Sequence, residues 1–268
     1  MESDDLLNLL PGILTQARSA LASLRLAETQ LIPPELREAD PEKDRQAAVL
    51  DQNYYRLLRL VNDLTLTLSL AREQPPAMRD HDLVELVGNL FQQAAGLGEQ
   101  AGIHLRLLCR EDTLLCSADR EDVEAILLHL LSNAFRFSPK GGTVTVELRQ
   151  AGQQALLSVQ DTGPGISQEQ REALFLSRQG EENRTSPSGA GMGLLLCSHL
   201  ARRQGGALLV ESPPDKGGAR FTLSLPLLTT GSLSGPRWDF SGGINKALLA
   251  LSDVLPAEAF LIRYQEDL

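Results

Sequence analysis

Apolar positions in the first part of the chain recur at alternating steps of four and three. Leu6, Leu10, Ile13, Ala17, Ala20 and Leu24 make one row, and Leu50, Tyr54, Leu57, Val61, Leu64 and Leu68 make a second. A row with that spacing follows one side of an α-helix and forms a coiled-coil seam. Pro11-Gly12 interrupts the first row, which predicts a helix kinked there or beginning at Pro11. Between the rows, Ile32-Pro33-Pro34 through Asp40-Pro41 predicts a turn that no helix runs through. Two seam helices with a proline-rich connection predict a helical hairpin. One hairpin buries a single stripe on each helix, so two copies would pair into a four-helix bundle. The competing arrangement is a hairpin packed on its own C-terminal domain.

Gln74-Pro75-Pro76 marks a boundary, and beyond it helical and alternating patterns mix. Residues 83–97 predict an amphipathic helix, and 103–109 and 113–116 alternate like strands. Residues 119–137 predict a helix with Asp119 as N-cap and acidic residues in the first turn. Strands are expected over 143–148 and 155–160, then a short helix over 168–176. Residues 177–190 are polar and read as a mobile loop. A helix over 193–203 and strands over 207–211 and 219–225 follow. After Pro226 the chain turns Gly/Ser/Thr-rich around Trp238, then predicts a helix over 244–255 and a short strand over 260–264. This tail has apolar residues to bury and is expected to dock on the body. The division expected is 1–76, 77–228 and 229–268.

Composition narrows the function classes. Aromatic residues make up only 4% of the chain, so the core must be aliphatic. A formal net charge of −10 disfavours nucleic acid and anionic membrane surfaces as partners. Cys109, Cys116 and Cys197 have no metal-like spacing and read as reduced thiols. The acidic N-terminus is unlike a signal peptide, and no apolar stretch is long enough to span a bilayer. The expectation is a soluble, cytoplasmic protein.

Four stretches carry candidate chemistry. Leu130-Leu131-Ser132-Asn133-Ala134-Phe135-Arg136-Phe137 places Asn133 and Arg136 on one helix face; an amide oxygen there is a hard ligand suited to Mg²⁺. Asp161-Thr162-Gly163-Pro164-Gly165 puts a carboxylate at a strand end, before glycines that let backbone pass close to a ligand. Arg171-Glu172-Ala173-Leu174-Phe175 is a weaker third stretch. Gly189-Ala190-Gly191-Met192-Gly193-Leu194 opens a helix, where backbone N–H groups and the helix dipole favour an anion. Taken singly, the bland readings are a polar helix face, an Asx-capped β-turn, a packing helix and a flexible linker. A dinucleotide site is excluded because that glycine run would come early, after a first strand.

In order and spacing these stretches resemble the boxes of the GHKL ATPases, the superfamily of histidine kinases and of gyrase-type and heat-shock ATPases. The stretch Gly217-Gly218-Ala219-Arg220-Phe221-Thr222 is similar to the family's last strand. The resemblance implies an α+β protein: an N-terminal two-helix hairpin, dimerising into a four-helix bundle, then an α/β sandwich with a mostly antiparallel sheet covered on one face by helices. It implies a Mg-ATP site. Asn133 would hold Mg²⁺ and Arg136 would contact phosphate, with Phe137 beside them. Asp161 would accept the adenine amino group beside Gly163 and Gly165. Gly189, Gly191, Met192, Gly193 and Leu194 would line the triphosphate, with Thr222 on the last strand. Residues 177–188 would form the lid, with Arg178 and Arg184 as phosphate contacts.

The hairpin departs from the family's pattern. The four histidines are His81, His104, His129 and His199, so residues 1–80 contain no imidazole to take a phosphoryl group. Self-phosphorylation on the hairpin is therefore not expected. His129 stands four residues before Asn133 on the same helix face, where a neutral imidazole could act as a general base on water. Three functions follow: a histidine-kinase-like two-component protein that binds Mg-ATP, a non-catalytic dimeric scaffold for a response regulator or partner kinase, and an ATP hydrolase using His129.

Overall fold

The computed structural model describes residues 3–167, 190–212, 217–229, 231 and 245–265. The chain forms two compact units, one of residues 1–74 with 244–268 and one of residues 75–243. The last segment therefore folds with the N-terminal helices, which replaces the three-part division expected from the sequence.

In the first unit, α1 (Ser3–Leu31) and α3 (Pro41–Ala71) are the two arms of a hairpin. Pro11 lies inside α1 and does not start it. Proline has no N–H to give to the carbonyl of Leu7. Arg72, at the end of α3, donates to that oxygen instead, at 2.8 Å. The connection is not a plain turn but contains a helix, α2 (Pro34–Ala39). Pro34 and Pro41 each sit in the first turn of a helix, where a missing N–H costs nothing. Asp40 caps α3 by accepting from the amides of Glu42 and Lys43.

The interior of this hairpin is Leu14, Leu21, Val61 and Leu68, with Leu7, Ala17, Tyr54 and Leu58 against them. Of the expected seam, Ala17, Tyr54, Val61 and Leu68 belong to it. Ile13, Leu24, Leu50, Leu57 and Leu64 lie exposed on a neighbouring stripe. Each helix thus has two adjacent apolar stripes, and the heptad spacing alone does not say which one faces inward.

The tail in this unit comprises α7 (Lys246–Leu251), a 3-10 turn (Ala257–Phe260) and α8 (Ile262–Gln265), and it packs on α3 and α2. The strand expected over 260–264 is a helical turn. A short strand needs a partner edge, and the described part of this unit has none. Phe260 is instead buried completely.

The second unit is an α/β sandwich. Strands β1 (Arg79–Asp82) and β3 (Leu115–Ala118) pair antiparallel in a small sheet. The main sheet contains β2 (His104–Cys109), β4 (Thr143–Ala151), β5 (Gln154–Gln160), β6 (Ala207–Glu211) and β7 (Arg220–Pro226), in the order β2-β4-β5-β7-β6. The β2–β4 pair is parallel and the others are antiparallel. Helices α4 (Leu83–Ala101), α5 (Arg120–Phe137) and α6 (Ala190–Arg203) cover one face. Period-two alternation turns Val144, Val146, Leu157, Val159, Phe221 and Leu223 toward these helices. Asp119 caps α5 as expected, accepting from the amides of Glu121 and Asp122. At the far ends of α5 and α6, the Arg203 guanidinium pairs with Asp122, which is fully buried. The short helix expected over 168–176 and the loop expected over 177–190 lie outside the described residues, save for Ala190.

Candidate nucleotide-binding site

The site is built on α5. His129, Asn133 and Phe137 follow one another at steps of one turn, so a single stripe spans about 12 Å from His129 to Phe137. The start of α6 lies against one end. A Cβ placed on Gly193 would come within 3.2 Å of His129 Nδ1, so the imidazole rests on the backbone of the glycine run. That run is already helical from Ala190, which puts Gly191 among the first N–H groups of α6, those without intrahelical acceptors.

The turn after β5 lies against the other end. A Cβ on Gly163 would come within 2.4 Å of the Phe137 carbonyl oxygen, closer than any real contact, so only glycine lets this turn meet the end of α5. Asp161 opens the turn and is 4% exposed. Its Oδ1 accepts from the amides of Gly163 at 2.8 Å and Ala219 at 3.1 Å. One carboxylate oxygen thus ties the turn to the lead-in of β7, and Oδ2 is left over by these two bonds. Gly218 completes the junction with φ +74°, and a Cβ there would fall 2.0 Å from the Asp161 carbonyl oxygen. Ser212 Oγ joins the same edge, accepting from the Ile166 amide at 3.1 Å and donating to the Gly218 carbonyl at 3.0 Å.

Burial pushes the Asp161 carboxyl above its ordinary range, against the opposing pull of the Gly163 and Ala219 amides. The folded protein therefore binds this proton more tightly than the unfolded chain does. The resulting stability is complete below the ordinary value of 3.8 and is lost as pH rises through the raised one. Melting temperatures of Asp161→Asn measured across that interval should lack this component of the pH slope. An unchanged slope would contradict the assignment.

Asn133 carries an orphaned polar atom. It is half-buried, and its Nδ2 is shielded from solvent with no hydrogen-bond partner among the described residues. A shielded N–H₂ with no acceptor among the described residues is a donor suited to an external oxygen, and leaves Oδ1 as the atom that could meet a cation. Among the described residues no cluster of three His, Cys, Asp or Glu could hold a metal ion. Burial raises the Cys116 thiol to about 11, so it stays protonated at neutral pH. The residues present fit Mg²⁺, which commonly takes one or two protein oxygens and completes its shell with phosphates and water.

Residues 118–229 match the family described as histidine kinase-, DNA gyrase B- and HSP90-like ATPases. The chain carries a histidine-kinase-type ATPase domain. The alginate biosynthesis sensor protein KinB of Pseudomonas aeruginosa is 32% identical over 208 residues, which are 75% of this chain and 33% of KinB. The sensor histidine kinase ZraS of Salmonella typhi is 30% identical over 222 residues, 82% of this chain and 46% of ZraS. The chain therefore spans less than half the length of either protein. Among solved structures, full-length ShkA in complex with AMPPNP superposes with a TM-score of 0.64 at 25% identity, covering 86% of this chain and 47% of ShkA. The histidine kinase AdeS of Acinetobacter baumannii shares the fold with a TM-score of 0.52 at 19% identity, covering 79% of this chain and 97% of AdeS.

Within the histidine-kinase-type domain the structure brings together Asp161, Gly163, Gly165 and Phe137 at one end of the α5 stripe, and His129 and Gly193 at the other. Asn133 lies between. Leu194 follows Gly193 in α6, and Arg136 is exposed on the last turn of α5. Thr222 is not brought into this group. Alternation along β7 points Phe221 and Leu223 to the helices, so Thr222 shares the opposite sheet face with Arg220. Gly191 and Met192 lie in the first turn of α6, and Gly189 lies outside the described residues, as do Arg178 and Arg184. Ser212, Gly218 and Ala219 join the site although the sequence reading gave them no role. The Gly217-Gly218 pair was the available signal, because paired glycines before a strand often mark a close backbone approach. No described helix is long and apolar enough to cross a membrane.

Proposed function

We propose that this chain is a two-component-type signalling protein that binds Mg-ATP along the α5 stripe and dimerises through its N-terminal hairpin, without storing phosphate on that hairpin. The observation that carries the reading is the shielded Asn133 amide, unpartnered among the described residues, between a glycine-lined helix start and the buried Asp161. Asp161 Oδ2 would accept the adenine amino group. Asn133 and nucleotide phosphates would hold Mg²⁺, whose charge offsets that of the triphosphate. The N–H groups at the start of α6 would face the phosphates. ShkA was solved with AMPPNP bound, and its likeness over most of this chain supports the same ligand class here.

Incubation with labelled Mg-ATP, following bound nucleotide, released phosphate and modified protein together, separates the versions of this reading. Saturable binding with no acid-labile label on the protein is the expected result. Acid-labile label in residues 1–80 would overturn the reading of the hairpin. A second reading has a specific observation behind it: His129 touches the glycine run, so it would lie beside the terminal phosphate. If it activates water, His129→Ala should lower steady-state phosphate release by about 10²- to 10⁴-fold while nucleotide still binds. Equal release by both proteins would remove that role and leave a signalling or scaffold function.

The dimer rests on the exposed stripe. Ile13, Leu24, Leu50, Leu57, Leu60 and Leu64 are all open to solvent in the single chain. Leu50, Leu57 and Leu64 lie one heptad apart on α3, the spacing of a seam that meets another helix. A carboxylate at two successive seam positions would leave charges buried against each other. Light scattering of Leu57→Glu/Leu64→Glu should therefore give the monomer mass where the unaltered protein gives twice that value. A dimer surviving both substitutions would place the interface elsewhere.

A further inference from the structure

The tail is held on α3 in an unusual way. Long side chains of α3 reach out to backbone carbonyls of the tail. Gln52 donates to Leu255 O at 2.7 Å, Arg56 to Ser252 O at 3.1 Å and Arg59 to Ala250 O. From α2, Arg37 donates to Phe260 O at 2.8 Å. Two of these acceptors belong to the end of α7, where carbonyls lack intrahelical donors and carry the negative end of the helix dipole. Asp253 adds a carboxylate there, 3.2 Å from Arg59 Nη1. Leu248, Leu251, Leu255 and Phe260 supply the apolar anchors.

This is the pattern of a peptide ligand on a receptor face: side chains on one partner, main-chain carbonyls on the other, and a few buried anchors. The tail elements are short, with six residues in α7 and four in α8. Helices of that length do not persist alone in water, so the segment takes its shape on docking. The tail also follows the last strand of the nucleotide-binding unit, so docking gives that unit a second chain connection to the hairpin, besides the one through residues 72–78.

We propose that residues 245–265 are a detachable clip, a ligand in cis for a docking face of α3. The face takes the C-terminal end of a helix that carries an acidic residue and leucine anchors. While the clip is seated, it keeps other helices of that chemistry off α3 and ties both ends of the nucleotide-binding unit to the hairpin. The inference does not depend on nucleotide binding.

The test uses the full chain with a protease site placed within residues 232–243 and cut after folding. A fluorescent peptide of residues 245–265 is then added and followed by anisotropy. The clip predicts saturable exchange of the labelled peptide into the cut protein under native conditions. It further predicts that Asp253→Lys in the peptide weakens this exchange about ten- to a hundredfold, since an ion pair becomes a repulsion. Arg59→Ala in the cut protein provides the reciprocal variant. If the native segment stays bound until the whole helical unit unfolds, it is a fixed part of the core and the proposal is overturned. Release with no rebinding, or an Asp253→Lys peptide that exchanges as well as the original, also overturns it.

Discussion

Asp161→Asn should lower the affinity for adenine nucleotides by about ten- to a hundredfold while leaving the fold intact. The substitution separates two jobs of one carboxylate. Oδ1 holds the amides of Gly163 and Ala219, and an asparagine oxygen can still accept both. The second position changes from an acceptor to an N–H₂ donor. It would then face the exocyclic amino group of adenine donor to donor. Losing a hydrogen bond to a charged acceptor is worth about 1.5–3 kcal/mol, which sets the size of the effect. Asp161→Ala would be a poorer probe, because it leaves two buried amides without an acceptor and so destabilises the turn itself. Competition between adenine and guanine nucleotides gives the decisive comparison. Guanine offers a carbonyl at the corresponding ring position, so the variant should lose its preference between the two. An unchanged adenine affinity would show that Asp161 acts only as a clasp between the turn and β7.

The second large effect concerns Arg37, which is 6% exposed and has three bonds in three directions. Nε donates to Asp44 at 2.9 Å, Nη1 to Asp51 at 2.9 Å and Nη2 to the Phe260 carbonyl. Arg25 also reaches Asp51, which is completely buried. Arg37→Ala leaves two carboxylates and a carbonyl short of a donor in the interior of the unit. Removing one partner of a buried ion pair costs about 3–5 kcal/mol. Lysine restores the charge but not the fork, since one ammonium cannot reach three acceptors set around a planar guanidinium. The expected order of stability is Arg, then Lys, then Ala. In urea, the helical unit of Arg37→Ala should unfold at much lower denaturant, with the transition of the nucleotide-binding unit unmoved. A loss below about 1 kcal/mol, the range of exposed pairs, would mean that solvent replaces Arg37 at little cost.

The sequence was most legible where one local rule decides an element by itself. The 119–137 helix followed from Asp119 before an acidic first turn, and the structure shows that cap. The alternating runs over 143–148, 155–160 and 207–211 gave strands in place, because one buried face forces a period of two. Pro75-Pro76 marks the boundary between the units as expected, but within the helical unit prolines read only as breakers misled. Pro34 and Pro41 begin helices, and Pro11 is accommodated by Arg72 from far along the chain, a contact no local pattern reveals. The hairpin seam was displaced because two neighbouring stripes are both apolar. The tail was misread at 260–264, where burial of Phe260 and the bond from Arg37 decide the conformation.

The grouping of the candidate site residues was legible to a similar degree. Asn133, Asp161, Gly163 and Gly193 are marked by residue types that have few other uses at those positions. Thr222 lies apart from the others because strand membership alone does not fix the face; the register of β7 does. Ser212 and Ala219 act through one hydroxyl and one backbone amide. Neither carries a compositional signal, and both become visible only when β6 and β7 are brought beside the turn after β5.

Isothermal titration of the folded chain with Mg²⁺ and a non-hydrolysable ATP analogue tests the central claim most directly. The account predicts saturable heat with one nucleotide per chain, and markedly weaker binding by Asn133→Ala and by Asp161→Asn. No heat at millimolar nucleotide, from protein shown to be folded, would contradict it.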